Sequence, residues 1–456
     1  MPVAAPSPPA PVADSSVGPV LVFIERLFPS PRNFALRLWN GQIVPAAGRP
    51  LFTLAIRDPG SLRRMFRPPV ELALGEAYLR REFDIEGDLP GAFEIIHSAR
   101  ETLSSPRAVI AVARAWRALP ATDGGAAGMV SLRPPAPLSG AVGSQERDRA
   151  AVRHHYDVGN DFYRLFLDER MVYSCAYFET GDEDLDVAQQ AKLDLICRKL
   201  RLVRGDHLLD IGCGWGGLLI HAARVHGVTG VGVTLSEEQY ALARTRVTEA
   251  GLDERVRIEL RDYRELGSES FDKIASVGMF EHVVESAVPG YFATVFRLLR
   301  QEGLFLNHAI ASRPGTYRGV TVRAAARLLD RFLVGNLAFR TRYVFPDGEL
   351  RPVTEANMVA ERAGFELRDV ENLREHYALT LRHWLERLRS NHDQALALVG
   401  EPMYRLWEMY LAGSAYHFET ARITVNQSLM AKAPVGATTS LPRTRSELYT
   451  EPLVGR

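Results

Sequence analysis

Between about residues 146 and 430, short apolar runs alternate with longer stretches whose apolar side chains recur every three or four positions. A short apolar run suits a strand buried on both faces, and the three-to-four step suits a helix with one buried stripe. Their alternation predicts successive βαβ units, hence an α/β fold around a parallel sheet. The candidate strands are His207–Ile211, Val228–Val233, Val256–Leu260, Phe271–Val277 and Gly303–Ile310. One connecting helix is predicted over Glu237–Ala250, where Tyr240, Ala243, Val247 and Ala250 share a face.

Upstream, residues 20–120 form a second unit, with apolar segments Phe34–Leu38 and Leu51–Ile56 followed by the mixed stretch GEAYLRREFDIEGDL at 75–89. Residues 1–19, rich in Pro, Ala and Ser, have little to bury and are expected as a disordered tail. The Pro- and Gly-rich residues 121–145 are expected as a linker before a domain at 146–430, and 431–456 as a C-terminal tail. No internal repeat is present.

Composition narrows the class. The 456 residues carry 55 basic and 55 acidic side chains, without the basic excess of a nucleic-acid binder, so no nucleic-acid partner is expected. Only four of the 55 basic residues are lysine (Lys192, Lys199, Lys273, Lys432), which leaves 51 arginines. Arginine suits bidentate phosphate contacts, and a GC-rich genome gives the same bias without function. Cys175, Cys197 and Cys213 match neither a disulfide framework nor zinc-ligand spacing, so no metal is expected and any special cysteine acts alone. The apolar run Val17–Phe28 is too short to span a bilayer and has no cationic flank. A cytoplasmic protein follows as the expectation.

The sharpest local feature is LLDIGCGWGG at 208–217, a strand ending in an Asp and then Gly212, Gly214, Gly216 and Gly217 ahead of a helix. Glycines let a ligand lie against the backbone, and the helix start favours negative charge. A dinucleotide site would want an acid after the second strand, where this chain has Thr234-Leu235-Ser236. The order D-I-G-C-G-W-G instead resembles the first-strand turn of Rossmann-like S-adenosylmethionine-dependent methyltransferases, and Asp262-Tyr263 past the third strand matches their adenine position.

Longer segments narrow the likeness. HHYDVGNDFYRLFLDERMVYSCAYF (154–178), GVTLSEEQYALAR (232–244), SVGMFEHVVE (276–285), NHAI (307–310), FPDGEL (345–350) and LREHYALTLRHW (373–384) resemble the cyclopropane-fatty-acyl-phospholipid synthases and the mycolic acid cyclopropane synthases. The resemblance implies a mostly parallel seven-stranded methyltransferase sheet, preceded by a small α+β lipid-carrier-like domain. It implies transfer of a methylene group from S-adenosylmethionine to the cis double bond of unsaturated phospholipid acyl chains. It also implies a bound bicarbonate as base and a homodimer.

Carried onto this sequence, the resemblance gives the base site to Cys175, Glu281, His308 with the backbone of Ile310, and Tyr377. Tyr173 and Ser174 fall at the methionine end of the cofactor, Gly212 and Gly214 at its close backbone approach, Thr234, Leu235 and Gln239 at the ribose, and Asp262 and Tyr263 at the adenine. Each has an ordinary alternative: a satisfied strand-end histidine, a core tyrosine, a small apolar cysteine. Relatives that make methylene or methyl-branched products tend to carry a glutamate where this chain has Gly278, so the glycine leaves room for an anion. Ser414 stands where many members have a cysteine.

Residues 313–342 hold seven arginines against one acid, Asp330, a local net of +6 interleaved with Leu and Phe. That pattern suits peripheral contact with the anionic inner face of a membrane, and equally a solvated helix packed on the core. Two other functions stay open: methylation of the same chains to methylene or branched products, and a non-catalytic lipid-binding protein.

Overall fold

The computed structural model describes residues 14–121, 130–156, 158–313, 338–433, 436 and 441–449. By its described residues, one compact unit lies within Met1–Leu132 and the other within Arg133–Val322 and Phe339–Arg456.

The first unit is α+β. Strands β1 (Ala35–Arg37), β2 (Ile43–Val44), β3 (Phe52–Ile56) and β4 (Phe83–Gly87) form a sheet in the order β2-β1-β3-β4. The helix Val17–Leu27 starts inside the segment expected as a tail and buries Val20, Phe23, Ile24 and Leu27. The mixed stretch 75–89 resolves into the end of the helix Val70–Leu79 and β4. Phe34 stacks on Phe52 at 5.3 Å, and Arg64 holds the buried Glu82 at 2.6 Å. A buried acid needs such a partner.

The second unit is built on seven strands: β5 (His207–Ile211), β6 (Thr229–Thr234), β7 (Val256–Leu260), β8 (Phe271–Val277), β9 (Leu299–Ser312), β10 (Glu366–Asn372) and β11 (Ile423–Ala431). Their order is β10-β11-β9-β8-β5-β6-β7, parallel from β9 through β7 and antiparallel where β11 joins β9 and β10. All five expected strands occur, with β6 one residue later and β9 longer at both ends. The pattern missed β10 and β11 because β10 alternates Glu, Arg and Asp at an edge and β11 buries Asn426, Gln427 and Ser428.

Successive residues of a strand face opposite ways, so each central strand feeds two cores. Leu208 joins the layer under the helix Gly217–His226, while Leu209 and Ile211 join Phe271, Phe292 and Phe305 on the other face. Gly232 sets how closely that helix lies. A Cβ there would meet Leu219 Cδ1 at 2.7 Å and Cys213 Sγ at 2.8 Å. Sheet order reverses between β5 and β8, whose carboxyl ends open a crevice there, the place where open α/β sheets take ligands.

Candidate active site

Nine residues expected around a cofactor, Tyr173, Ser174, Gly212, Gly214, Thr234, Leu235, Gln239, Asp262 and Tyr263, line one cavity of about 150 Å³ at this crevice. The floor is the turn after β5. Gly212 has φ +77° and Gly214 φ +55°, and a Cβ at Gly212 would stand 2.9 Å from Met279 Cβ. A side chain at Gly212 is thus excluded both by the left-handed backbone and by its neighbour. At the end of β6, Thr234 Oγ1 donates to Gln239 Oε1 at 2.8 Å, which leaves the Gln239 NH₂ as a donor. Ser236 caps the following helix by accepting from the Gln239 N–H.

Asp262 is less free than its motif implies. Its carboxylate accepts from Arg264 at 2.6 and 2.9 Å, and Arg264 also donates to Asp148 at 2.8 Å. Arg264 therefore fixes the wall of the cavity beside Tyr263, a role sequence reasoning missed. It also missed Asp210 and Lys192, which line the same cavity. Asp210 Oδ1 is buried with no partner among the described residues, and burial raises its pKa to about 7. Lys192 is 1% exposed and donates to Ser174 Oγ at 2.9 Å. Burial lowers its pKa to about 8 against the opposing pull of Asp168, Cys175 and Asp210. The available signal was that Lys192 is one of only four lysines among 51 arginines.

The five residues expected at a base site do not line that cavity. They gather beside it, joined through Ser174-Cys175 and Gly278-Glu281. Glu281 lies in the short turn Phe280–His282 after β8, and its Oε1 accepts from the Ile310 N–H at 2.7 Å. Its Oε2 is buried without a partner among the described residues, and burial raises its pKa to about 7. The Ile310 N–H is thus spent on orienting Glu281.

His308, 1% exposed on β9, is kept neutral first by burial and then by the charges of Lys192 and Lys199. Its backbone carbonyl accepts from Gly278 N at 2.9 Å, and its Nε2 has no partner among the described residues. Tyr377, on the helix Arg374–Ser390, packs against Phe418 at 4.6 Å; burial, then the fields of Tyr410, Cys175 and Glu281, hold its proton firmly. Cys175 is fully buried and its thiol donates to Ala176 O at 3.2 Å. Burial pushes its pKa up, so it is a thiol and no nucleophile.

Aromatic rings crowd this region, with Tyr173 at 5.1 Å from Trp384 and 6.2 Å from Tyr156. Gly278 has φ +71°, and the nearest atom to an added Cβ would be Ser174 Cβ at 4.0 Å. The space is open. Of the arginines in 313–342, only Arg313, Arg340 and Arg342 fall within the described residues, so most of the expected membrane element, 314–337, lies outside them. No helix among the described residues is long and apolar enough to cross a membrane, and no group of His, Cys, Asp and Glu among them could hold a metal ion.

Residues 143–428 match the family model described as mycolic acid cyclopropane synthetase. A probable fatty acid methyltransferase of Pseudomonas putida is 38% identical over 91% of this chain and 95% of its own. The cyclopropane-fatty-acyl-phospholipid synthase of Escherichia coli (strain K12) is also 38% identical, over 63% of this chain and 70% of its own. Among solved structures, a mycolic acid cyclopropane synthase complexed with SAH and CTAB superposes with a TM-score of 0.57 at 36% identity, covering 62% of this chain and 98% of that one.

Proposed function

Because the chain belongs to the mycolic acid cyclopropane synthetase family, we propose that it transfers a methylene group from S-adenosylmethionine to the cis double bond of unsaturated acyl chains in membrane phospholipids, forming cyclopropane rings. The carrying observation is a pair of buried atoms, Glu281 Oε2 and His308 Nε2, without partners among the described residues. Burying an unpaired polar atom costs about 1–3 kcal/mol, so each of the two atoms argues for a polar ligand.

S-adenosylmethionine supplies an electrophilic methyl group. The cavity fits such a molecule: a glycine floor for close approach, Gln239 with a free NH₂, and Asp210 as an unpaired acceptor facing a cationic ligand. An alkene has no proton to give up before it attacks. The positive charge left on the acyl chain must therefore be tolerated until the new methyl loses a proton and the ring closes. The faces of Tyr156, Tyr173 and Trp384 offer that tolerance, and burial keeps water from quenching the cation.

The proton-accepting group in this reading is bicarbonate. Glu281, half-protonated near neutral pH, shares a proton with it, Tyr377 donates a hydrogen bond, and Gly278 leaves it space. Cys175 contributes shape, and Ile310 orients Glu281. Contact with an anionic membrane through 313–342 brings the protein to its substrate, and dimers are part of the same reading.

The test is incubation of the full chain with S-adenosylmethionine and vesicles of unsaturated phospholipid, followed by mass spectrometry of the fatty acids. A gain of one CH₂ as a ring is expected. A gain as a methyl or methylene branch would replace the proposal with the second reading, fatty acid C-methylation, favoured by the near full-length match to a probable fatty acid methyltransferase. No product at all would favour a lipid-binding module.

A further inference from the structure

His308, Gln427 and Glu371 stand in one row across three strands: His308 of β9 opposes Gln427 of β11, and Gln427 opposes Glu371 of β10. Side chains directly opposite in neighbouring strands share a face and touch. The row is hydrogen-bonded along its length. Gln427 Nε2 lies 3.2 Å from His308 Nδ1, and Gln427 Oε1 lies 2.8 Å from Lys199 Nζ. Lys199, its side chain fully buried at the end of the helix Leu185–Lys199, also donates to Glu371 and lies 3.8 Å from Asp369.

Protons can be assigned along this row from one end. Burial lowers the pKa of Lys199, and Glu371 and Asp369 beside it pull the other way; with Glu371 and Gln427 both within hydrogen-bond reach, its nitrogen serves as a donor to each. The Gln427 atom facing it must therefore be the carbonyl oxygen. The NH₂ of Gln427 then faces His308, so His308 Nδ1 must accept. A neutral imidazole has a single proton, and it is left on Nε2, the atom without a partner among the described residues.

We propose that Lys199 and Gln427 are positioning residues that lock His308 as the Nε2–H tautomer, so that it enters the site as a hydrogen-bond donor to a bound anion and cannot itself take the proton. This rests on the anion-assisted reading above and removes His308 as an alternative base. Burial, which keeps His308 neutral, agrees with it.

The test is a two-bond ¹H–¹⁵N correlation spectrum of the full chain labelled at histidine, with His308 identified by its loss in His308→Asn. A pyrrole-like Nε2 and pyridine-like Nδ1 are expected; protonation on Nδ1 would overturn the proposal. In Gln427→Glu the new carboxylate accepts from both neighbours, so the single proton of His308 should move to Nδ1 and leave Nε2 without its hydrogen. Turnover should then drop about a hundredfold with S-adenosylmethionine affinity unchanged. An unchanged His308 spectrum in folded Gln427→Glu would also overturn it. If wild type shows Nε2–H but makes no lipid product, the tautomer lock stands and the reading of the reaction falls.

Discussion

At the carboxyl ends of β5 and β6 the cofactor cavity has a glycine turn as its floor, while the neighbouring site is made of side chains brought from four separate segments. The floor of the first and the wall from Thr234 to Gln239 are written in two short runs, LLDIGCGWGG and VTLSEEQ. In the second, Cys175, Glu281, His308 and Tyr377 span about 200 positions, are nearly all buried, and carry shifted protons. Recognition of a large ligand needs shape, which a turn supplies locally. Handling one proton needs low dielectric and opposed charges, which only tertiary packing supplies.

Breaking each half should therefore leave different signatures. The largest effect is expected for Glu281→Gln: turnover should fall about 10²- to 10⁴-fold with S-adenosylmethionine affinity intact, read by product assay and calorimetry. Gly212→Val should do the reverse first. With φ +77° and Met279 in the way, it should weaken cofactor binding at least about tenfold in a titration.

A third effect concerns stability. Burial raises Glu281 from 4.5 to about 7, so the folded state holds its proton more tightly than the unfolded chain. That preference is fully present below pH 4.5 and is lost as pH rises to about 7, a difference of about 3 kcal/mol. Glu281→Gln should lack this slope and melt higher than wild type at neutral pH, as thermal scans from pH 4.5 to 8 would show. Smallest of all is Ser414→Cys, next to Tyr410 on the helix His392–Glu419: turnover should not change, since the reaction needs no thiol there.

How much the sequence disclosed follows the same divide. The parallel strands and the glycine turn were legible because apolar runs and φ > 0 positions leave local marks. β10 was not, because it is a charged, mostly exposed edge strand, and β11 was not, because its buried Asn426, Gln427 and Ser428 break the apolar pattern. Glu281, His308 and Tyr377 came only through likeness to a family, since one carboxylate, one imidazole and one phenol far apart announce nothing by themselves. Lys192, Gln427 and Arg264 act on other side chains rather than forming a motif, and only the packed structure brings them forward.

The scarcity of lysine has a practical consequence. Lys192 and Lys199 are 1% exposed, and Lys273 and Lys432 are half-buried, so no lysine side chain lies fully open to solvent. Amine-directed reagents should therefore label the folded molecule sparsely, and the sites that do react become clocks of local opening. Lys192 would report breathing of the cofactor cavity, slowed by a bound cofactor. Lys199 would report separation of its helix from the antiparallel edge of the sheet.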